Sequence, residues 1–202
     1  IEISPIFPKA YNNKGIVLSK MNRFEDALRD YNKAIHLYLA NEEMISKENH
    51  LSLSDAYYNR GRLFKKKKAY GNAINDYLLS VKSSPLNSNA FNNLGGVYLL
   101  TKQNQKAIEV FKKAILLRPA NASFIYNLGY AYQMSIKNSK ALEYYDRALS
   151  YNNKIGQIYA NRAIIFFQQK KYKKSLLDVK KAQEMGGKVN QTLLEALRIK
   201  TK

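Results

Sequence analysis

Gly61, Gly95 and Gly129 stand 34 residues apart, and Ala163 stands 34 beyond the last of them. A chain that repeats at this interval folds as an array of small units, each buried against its neighbours. Gly15 shares the column but lies 46 before Gly61, so twelve residues are inserted between the first two copies. Other columns keep step. Four before the small residue stand Tyr11, Tyr57, Phe91, Ile125 and Tyr159, and three after it Leu18, Phe64, Tyr98, Tyr132 and Phe166. Twelve after it come Ala27, Ala73, Ala107, Ala141 and Ser175; sixteen after, Tyr31, Tyr77, Phe111, Tyr145 and Val179; nineteen after, Ala34, Ser80, Ala114, Ala148 and Ala182.

Large residues separated by four and then three positions form one stripe of a helix, here the first helix (A) of each copy. After a short turn a second stripe defines helix B. Glycine inside a helix costs about 1 kcal/mol against alanine, so its recurrence marks a close helix crossing. Pro85 and Pro119 end two B helices, because proline lacks an amide donor and clashes with the preceding turn. Ser54, Ser88 and Asn121 are candidate caps of the next A helix.

The set Gly, Tyr, Ala, Tyr or Phe, Ala and Pro at these spacings resembles the tetratricopeptide repeat family, over residues 8–189. The resemblance implies an all-α superhelical solenoid. Its five helical hairpins would be 8–41, 54–87, 88–121, 122–155 and 156–189, read as one cooperative array with an insertion at 42–53. Residues 190–202 should form a capping helix through Leu193, Leu194 and Leu197, started after the Gly186-Gly187 stop. Residues 1–7 read as the remnant of a preceding repeat, with Ile1–Ser4 the end of its helix B and a further hairpin expected upstream. At the insertion, helix B of the first repeat should overrun its normal end by about two turns, and a loop near Lys47–Leu53 should return to Ser54.

No catalytic constellation is legible. Cysteine is absent, which removes disulfides, thiolate metal sites and thiol nucleophiles and fits a cytoplasmic or otherwise intracellular protein. The two histidines, His36 and His50, lack partners at metal-ligand spacing; His36 reads as flanking an apolar stripe and His50 as a loop residue. Gly95-Gly96 lies within a helix and is no phosphate loop. No apolar run approaches the ~18 residues of a membrane span. No metal or cofactor is expected, and the chain reads as a binding module.

Binding should use the face of helix A opposite the packing stripe, which the resemblance places in a concave groove. Two before each small residue stands an asparagine: Asn13, Asn59, Asn93, Asn127 and Asn161. A carboxamide both donates and accepts, as pairing with an extended backbone requires. The column resembles the asparagine ladder of O-linked N-acetylglucosamine transferases, which implies contact with peptide backbone. Lys9, Lys20, Arg62, Lys65 and Lys66 make one end of the groove basic. Leu99, Tyr126, Tyr130, Ile164 and Phe167 make the other apolar. The expected ligand is thus a protein or peptide segment with acidic and apolar parts. The chaperone-tail clamp of related co-chaperones does not match, since Asn12, Ile16, Asn89 and Asn93 stand where its lysines and asparagines would.

The net charge of +19 admits two further readings. One is an electrostatic nucleic-acid binder, using Lys65–Lys68 and the cluster of Lys170, Lys171, Lys173, Lys174, Lys180 and Lys181, otherwise solvated faces. The other is a substrate-selecting or regulatory repeat region of a larger enzyme. Open array ends can also support an oligomer.

Overall fold

The computed structural model describes residues 7–40 and 47–200, and among them every regular element is an α-helix. In order these are α1 (Pro8–Lys20), α2 (Phe24–Ala40), α3 (Lys47–Lys66), α4 (Tyr70–Ser83), α5 (Ser88–Leu100) and α6 (Asn104–Leu117). They continue as α7 (Ala122–Met134), α8 (Asn138–Tyr151), α9 (Gly156–Gln168), α10 (Tyr172–Glu184) and α11 (Gln191–Lys200). The fold is of the all-α, tandem-hairpin solenoid class. The chain divides into two compact units, Ile1–Gln103 and Asn104–Lys202, and the division falls at the A–B turn of the third repeat.

In the first unit α1 pairs with α2, α3 with α4, and α5 packs on α4. The alanine columns are closed to solvent: Ala27, Ala34 and Ala73 show no exposure, and neither does Tyr77 beside them. The glycine column works as its position suggests. A Cβ built on Gly15 would lie 2.7 Å from the Tyr31 ring, and one on Gly61 would lie 3.0 Å from the Tyr77 ring. Each glycine thus gives up a side chain to seat the tyrosine sixteen residues on. In the second unit α7 pairs with α8 and α9 with α10, α6 packs on α7, and α11 rests on α9 and α10. A Cβ on Gly129 would come within 2.8 Å of the Tyr145 ring. Where the glycine becomes Ala163, the facing residue shrinks to Val179.

Each A–B turn carries a residue with positive φ at the same place: Asn22, Lys68, Lys102, Ile136 and Lys170, all near +60°. The next amide then reaches back to close the end of helix A, as in Arg23 N–H to the Leu18 carbonyl and Lys171 N–H to the Phe166 carbonyl, both 2.9 Å. None of the five is glycine.

Several expectations need correction. Lys47–Leu53 is not a loop: it forms the first turns of α3, because Leu53 and Ala56 close a core with Ala34, Ile35 and Tyr57. His50 is therefore helical, and Ser54 is no cap. Ser54 is buried within α3, its hydroxyl 2.9 Å from both the carbonyl and the hydroxyl of Ser80, with the Asn87 amide donating to it at 3.1 Å. Ser88 is the first helical residue of α5, and Asn87 caps it by accepting from the Ala90 amide. Asn121 caps α7 as expected, accepting from Phe124 N–H at 3.1 Å. Helix α2 continues to Ala40, three residues past the place where α4 and α6 stop. The rest of the expected overrun, and the stub at Ile1–Ser4, lie outside the described residues. The C-terminal helix starts one residue later than expected, and its Leu193 and Leu197 are buried against Ala163 and Val179.

Candidate functional site

Within the first unit, the columns expected to face away from the packing stripe converge on one side of α1, α3 and α5. A pocket of about 420 Å³ is lined there by Ile16, Ser19 and Lys20 from α1, Tyr31 from α2, Asn59, Arg62, Lys65 and Lys66 from α3, and Asn93 from α5. Among the described residues, four of its side chains are cations and no carboxylate lines it. Burial, helped by the neighbouring Arg62, pushes the Lys65 ammonium below the usual lysine range. Lys66 Nζ donates to Asn22 Oδ1 at 2.9 Å and sits 4.6 Å from the centre of the Phe24 ring. The Arg62 guanidinium lies over the Tyr58 ring. The run Lys65–Lys68 is therefore split in role: Lys65 and Lys66 line the pocket, Lys67 pairs with Glu25, and Lys68 makes the turn.

Lys9 belongs to a second, adjoining pocket of about 150 Å³, with Asn12, Asn13, Ile16, Tyr38, Ser52, Asp55 and Asn59. Ile16 and Asn59 line both pockets. Sequence reasoning passed over Asp55, although it stands six before Gly61, as Lys9 stands six before Gly15. Desolvation raises the Asp55 carboxyl above its ordinary value, and Lys9 opposes the rise.

The asparagine column is partly spent inside the array. Asn59, buried, donates to Asn12 Oδ1 at 3.1 Å. Asn93 donates to the Tyr58 hydroxyl at 3.1 Å and to the Asn89 carbonyl at 3.0 Å. Asn161, also buried, donates to the Tyr126 hydroxyl at 3.1 Å and accepts from Gln157. Three of these bonds, Asn59 to Asn12, Asn93 to Tyr58 and Asn161 to Tyr126, join one repeat to the residue three before the small position of the repeat preceding it. Asn13 is exposed and Asn127 half-buried.

In the second unit Tyr126 and Tyr130 are half-buried with stacked rings 6.3 Å apart. Phe167 and Ile164 pack into the cluster beneath α11, and the Phe167 ring lies 5.4 Å from that of Tyr172. Leu99, in the first unit, is half-buried on α5. Lys170, Lys171, Lys173, Lys174 and Lys200 rim an open basin of about 790 Å³ floored by Tyr172 and Leu176.

A second buried pattern also escaped sequence reasoning. Arg60 grips Asp76 through two bonds of 2.8 and 2.7 Å and donates to Asn32 of the preceding repeat. Arg162 grips Asp178 at 2.6 and 2.7 Å and reaches Asp146 of the preceding repeat. Lys14 and Asp30 pair at the matching positions, 3.3 Å apart. The signal was a base one before the small residue with an aspartate fifteen after it.

Family models described as tetratricopeptide repeat match residues 8–38 and 54–85, and one described as TPR repeat matches 97–135. No curated protein matches the sequence. Among solved structures, the chain is similar to pilF of Pseudomonas aeruginosa at 21% identity and TM-score 0.76, over 93% of this chain and 79% of that one. It is similar to YrrB, described as a TPR protein with an unusual peptide-binding site, at 21% identity and TM-score 0.70, over 93% and 90%. It is also similar to MamA of Desulfovibrio magneticus RS-1, at 21% identity and TM-score 0.73, over 89% and 94%. At such identities these likenesses carry the fold alone.

Proposed function

Because this chain belongs to the tetratricopeptide repeat family, we propose that it is a protein–protein interaction scaffold that takes an extended, acidic segment of a partner on the helix-A face of Ile1–Gln103. One observation carries the proposal: Lys20, Arg62, Lys65 and Lys66 line a single pocket without a carboxylate among them. An acidic side chain entering it gains charge-assisted hydrogen bonds, shorter and stronger than neutral ones. Lys65 has already lost part of its hydration, so a counter-ion there costs little further desolvation. The Asn59 and Asn93 amides at the wall are held by bonds to Asn12 and Tyr58, so a ligand would meet side chains already ordered. In this reading the chain acts by binding, alone or as the substrate-selecting part of a larger enzyme. Mapping of captured partners should return short linear segments rich in Asp and Glu. Arg62→Ala with Lys65→Ala should weaken such a segment roughly tenfold, as for partly buried charge contacts. Undiminished affinity in that variant, with loss on replacing Lys173 and Lys174, would overturn the proposal.

The C-terminal basin favours a second reading, binding of a nucleic-acid backbone by its five lysines with Tyr172 as a stacking surface. Affinity for single-stranded RNA would then fall with salt at a log–log slope of about −0.7 per phosphate neutralised. Absence of binding to RNA or DNA at low salt removes it.

A further inference from the structure

The two pockets of the first unit differ in charge and follow one another along the same helices. The cationic pocket uses the C-terminal halves of α1 and α3, through Lys20, Arg62 and Lys65. The smaller one uses their N-terminal halves, through Lys9 and Asp55. Ile16 and Asn59 form the saddle between them. From Lys9 to Lys20, or from Asp55 to Lys65, the helix rises by roughly 15 Å at 1.5 Å per residue. An extended chain covers that distance in about four or five residues at ~3.3 Å each.

We infer that the trough reads a charge pattern: an acidic side chain in the four-cation pocket and a basic side chain four or five residues away, against Asp55. The inference rests on the reading of the first pocket as an acidic-segment site and adds the ligand's length, polarity and second anchor. Among the described residues Asp55 is the one carboxylate lining the trough, and Tyr38 and Ser52 stand beside it. Lys9 is exposed on a flexible stem, so it can yield space to a ligand cation that approaches the carboxylate. A like-charged segment fails at one end or the other: an all-acidic one meets Asp55, and an all-basic one meets the four cations.

The test uses the full chain and fluorescence anisotropy at low ionic strength. The probes are labelled octapeptides with one Glu and, four residues away, either Lys or Gln in a Ser/Ala background, made in both sequence orders. In one order the Lys peptide should bind about threefold tighter than the Gln peptide, the scale of one exposed ion pair. Asp55→Asn should abolish that ratio, so that the Lys and Gln peptides bind alike, and Lys9→Ala should widen it. Asp55→Lys should invert it when the peptide's Lys is replaced by Glu. Both Asp55 and Lys9 are exposed, so these variants should keep the parent's melting temperature. If the native chain treats Lys and Gln peptides alike in both orders, while Arg62→Ala with Lys65→Ala weakens both, the polarity is wrong and the acidic-segment site stands. If that double variant binds every peptide as the native chain does, or no peptide binds, both fall.

Discussion

A glycine in mid-helix and a tyrosine sixteen residues later are one packing unit. Adding a methyl at Gly129 restores about 1 kcal/mol of helix propensity, but the new carbon would lie 2.8 Å from a fully buried ring. Overpacking of this kind typically costs about 1–3 kcal/mol, so Gly129→Ala should lower stability in denaturant melts. In a Tyr145→Val background, which copies the Ala163–Val179 pair, the same methyl should be neutral or stabilising. A cycle of the four proteins measures the coupling, and equal effects in both backgrounds would refute it. Ile136 poses the opposite case. It is 86% exposed at φ 59°, where a β-branched side chain is strained. Ile136→Asn, the residue found at the matching Asn22, should stabilise by about 1 kcal/mol, read as a higher urea midpoint. The glycine column was legible because its period is rigid and its residue type rare in helices. The positive-φ column was not, since Asn22, Lys68, Lys102, Ile136 and Lys170 share a backbone angle and no side-chain chemistry.

Between helices, three of the repeats share an internal lock. Repeats one, two and five place a base against a buried aspartate, as in Lys14–Asp30, Arg60–Asp76 and Arg162–Asp178. Repeats three and four have Leu94 and Leu128 at the basic position, with Val110 and Tyr144 at the acidic one. Removing one partner of a buried pair strands the other, so Asp178→Ala should cost roughly 3 kcal/mol. Arg162→Leu with Asp178→Val should recover most of that loss, because an apolar pair needs no desolvated charge. A double variant as unstable as the single one would show that the pair does more than fill space. Hairpin periodicity made the helices legible and their ends less so. Helix α3 began earlier than expected because Leu53, outside the 34-residue frame, is drawn into the core of the first repeat. Of the candidate site, four basic residues were found and brought together. Asp55 was passed over because a single carboxylate has no pattern until Lys9 is seen beside it.

At the scale of the molecule, charge and buried phenols set the response to solution conditions. With a net charge of +19 the folded chain repels itself, and added salt screens that repulsion. The melting temperature should therefore rise with ionic strength; a fall would mean that ion pairs such as Arg60–Asp76 outweigh the net charge. Burial pushes the hydroxyls of Tyr31 and Tyr126 from 10.0 up to about 12, and raises those of Tyr77 and Tyr145 as well. An unfolded tyrosine ionises near its ordinary value, so the folded state favours the neutral phenol. The stability this provides is complete below pH 10 and is lost as pH rises through about 12. In an alkaline titration these phenols should ionise late, together with loss of the helical circular-dichroism signal. Ionisation of all sixteen tyrosines in one step near pH 10, with the helices intact, would contradict the burial.

The amide bonds that run from Asn59, Asn93 and Asn161 to the repeat behind them have a genetic consequence. The donor position holds asparagine in all five copies, while the acceptors of the three bonds vary: Asn12 and Tyr58 in the first unit, Tyr126 in the second. A seam with one standard half accepts any successor. Unequal crossing-over between copies can thus insert or delete a whole repeat without a second mutation to mend the joint. The fifth copy has Ala160 at the acceptor position, which offers no side-chain oxygen, so the α11 that follows it packs through Leu193 and Leu197 instead of an amide bond to that position.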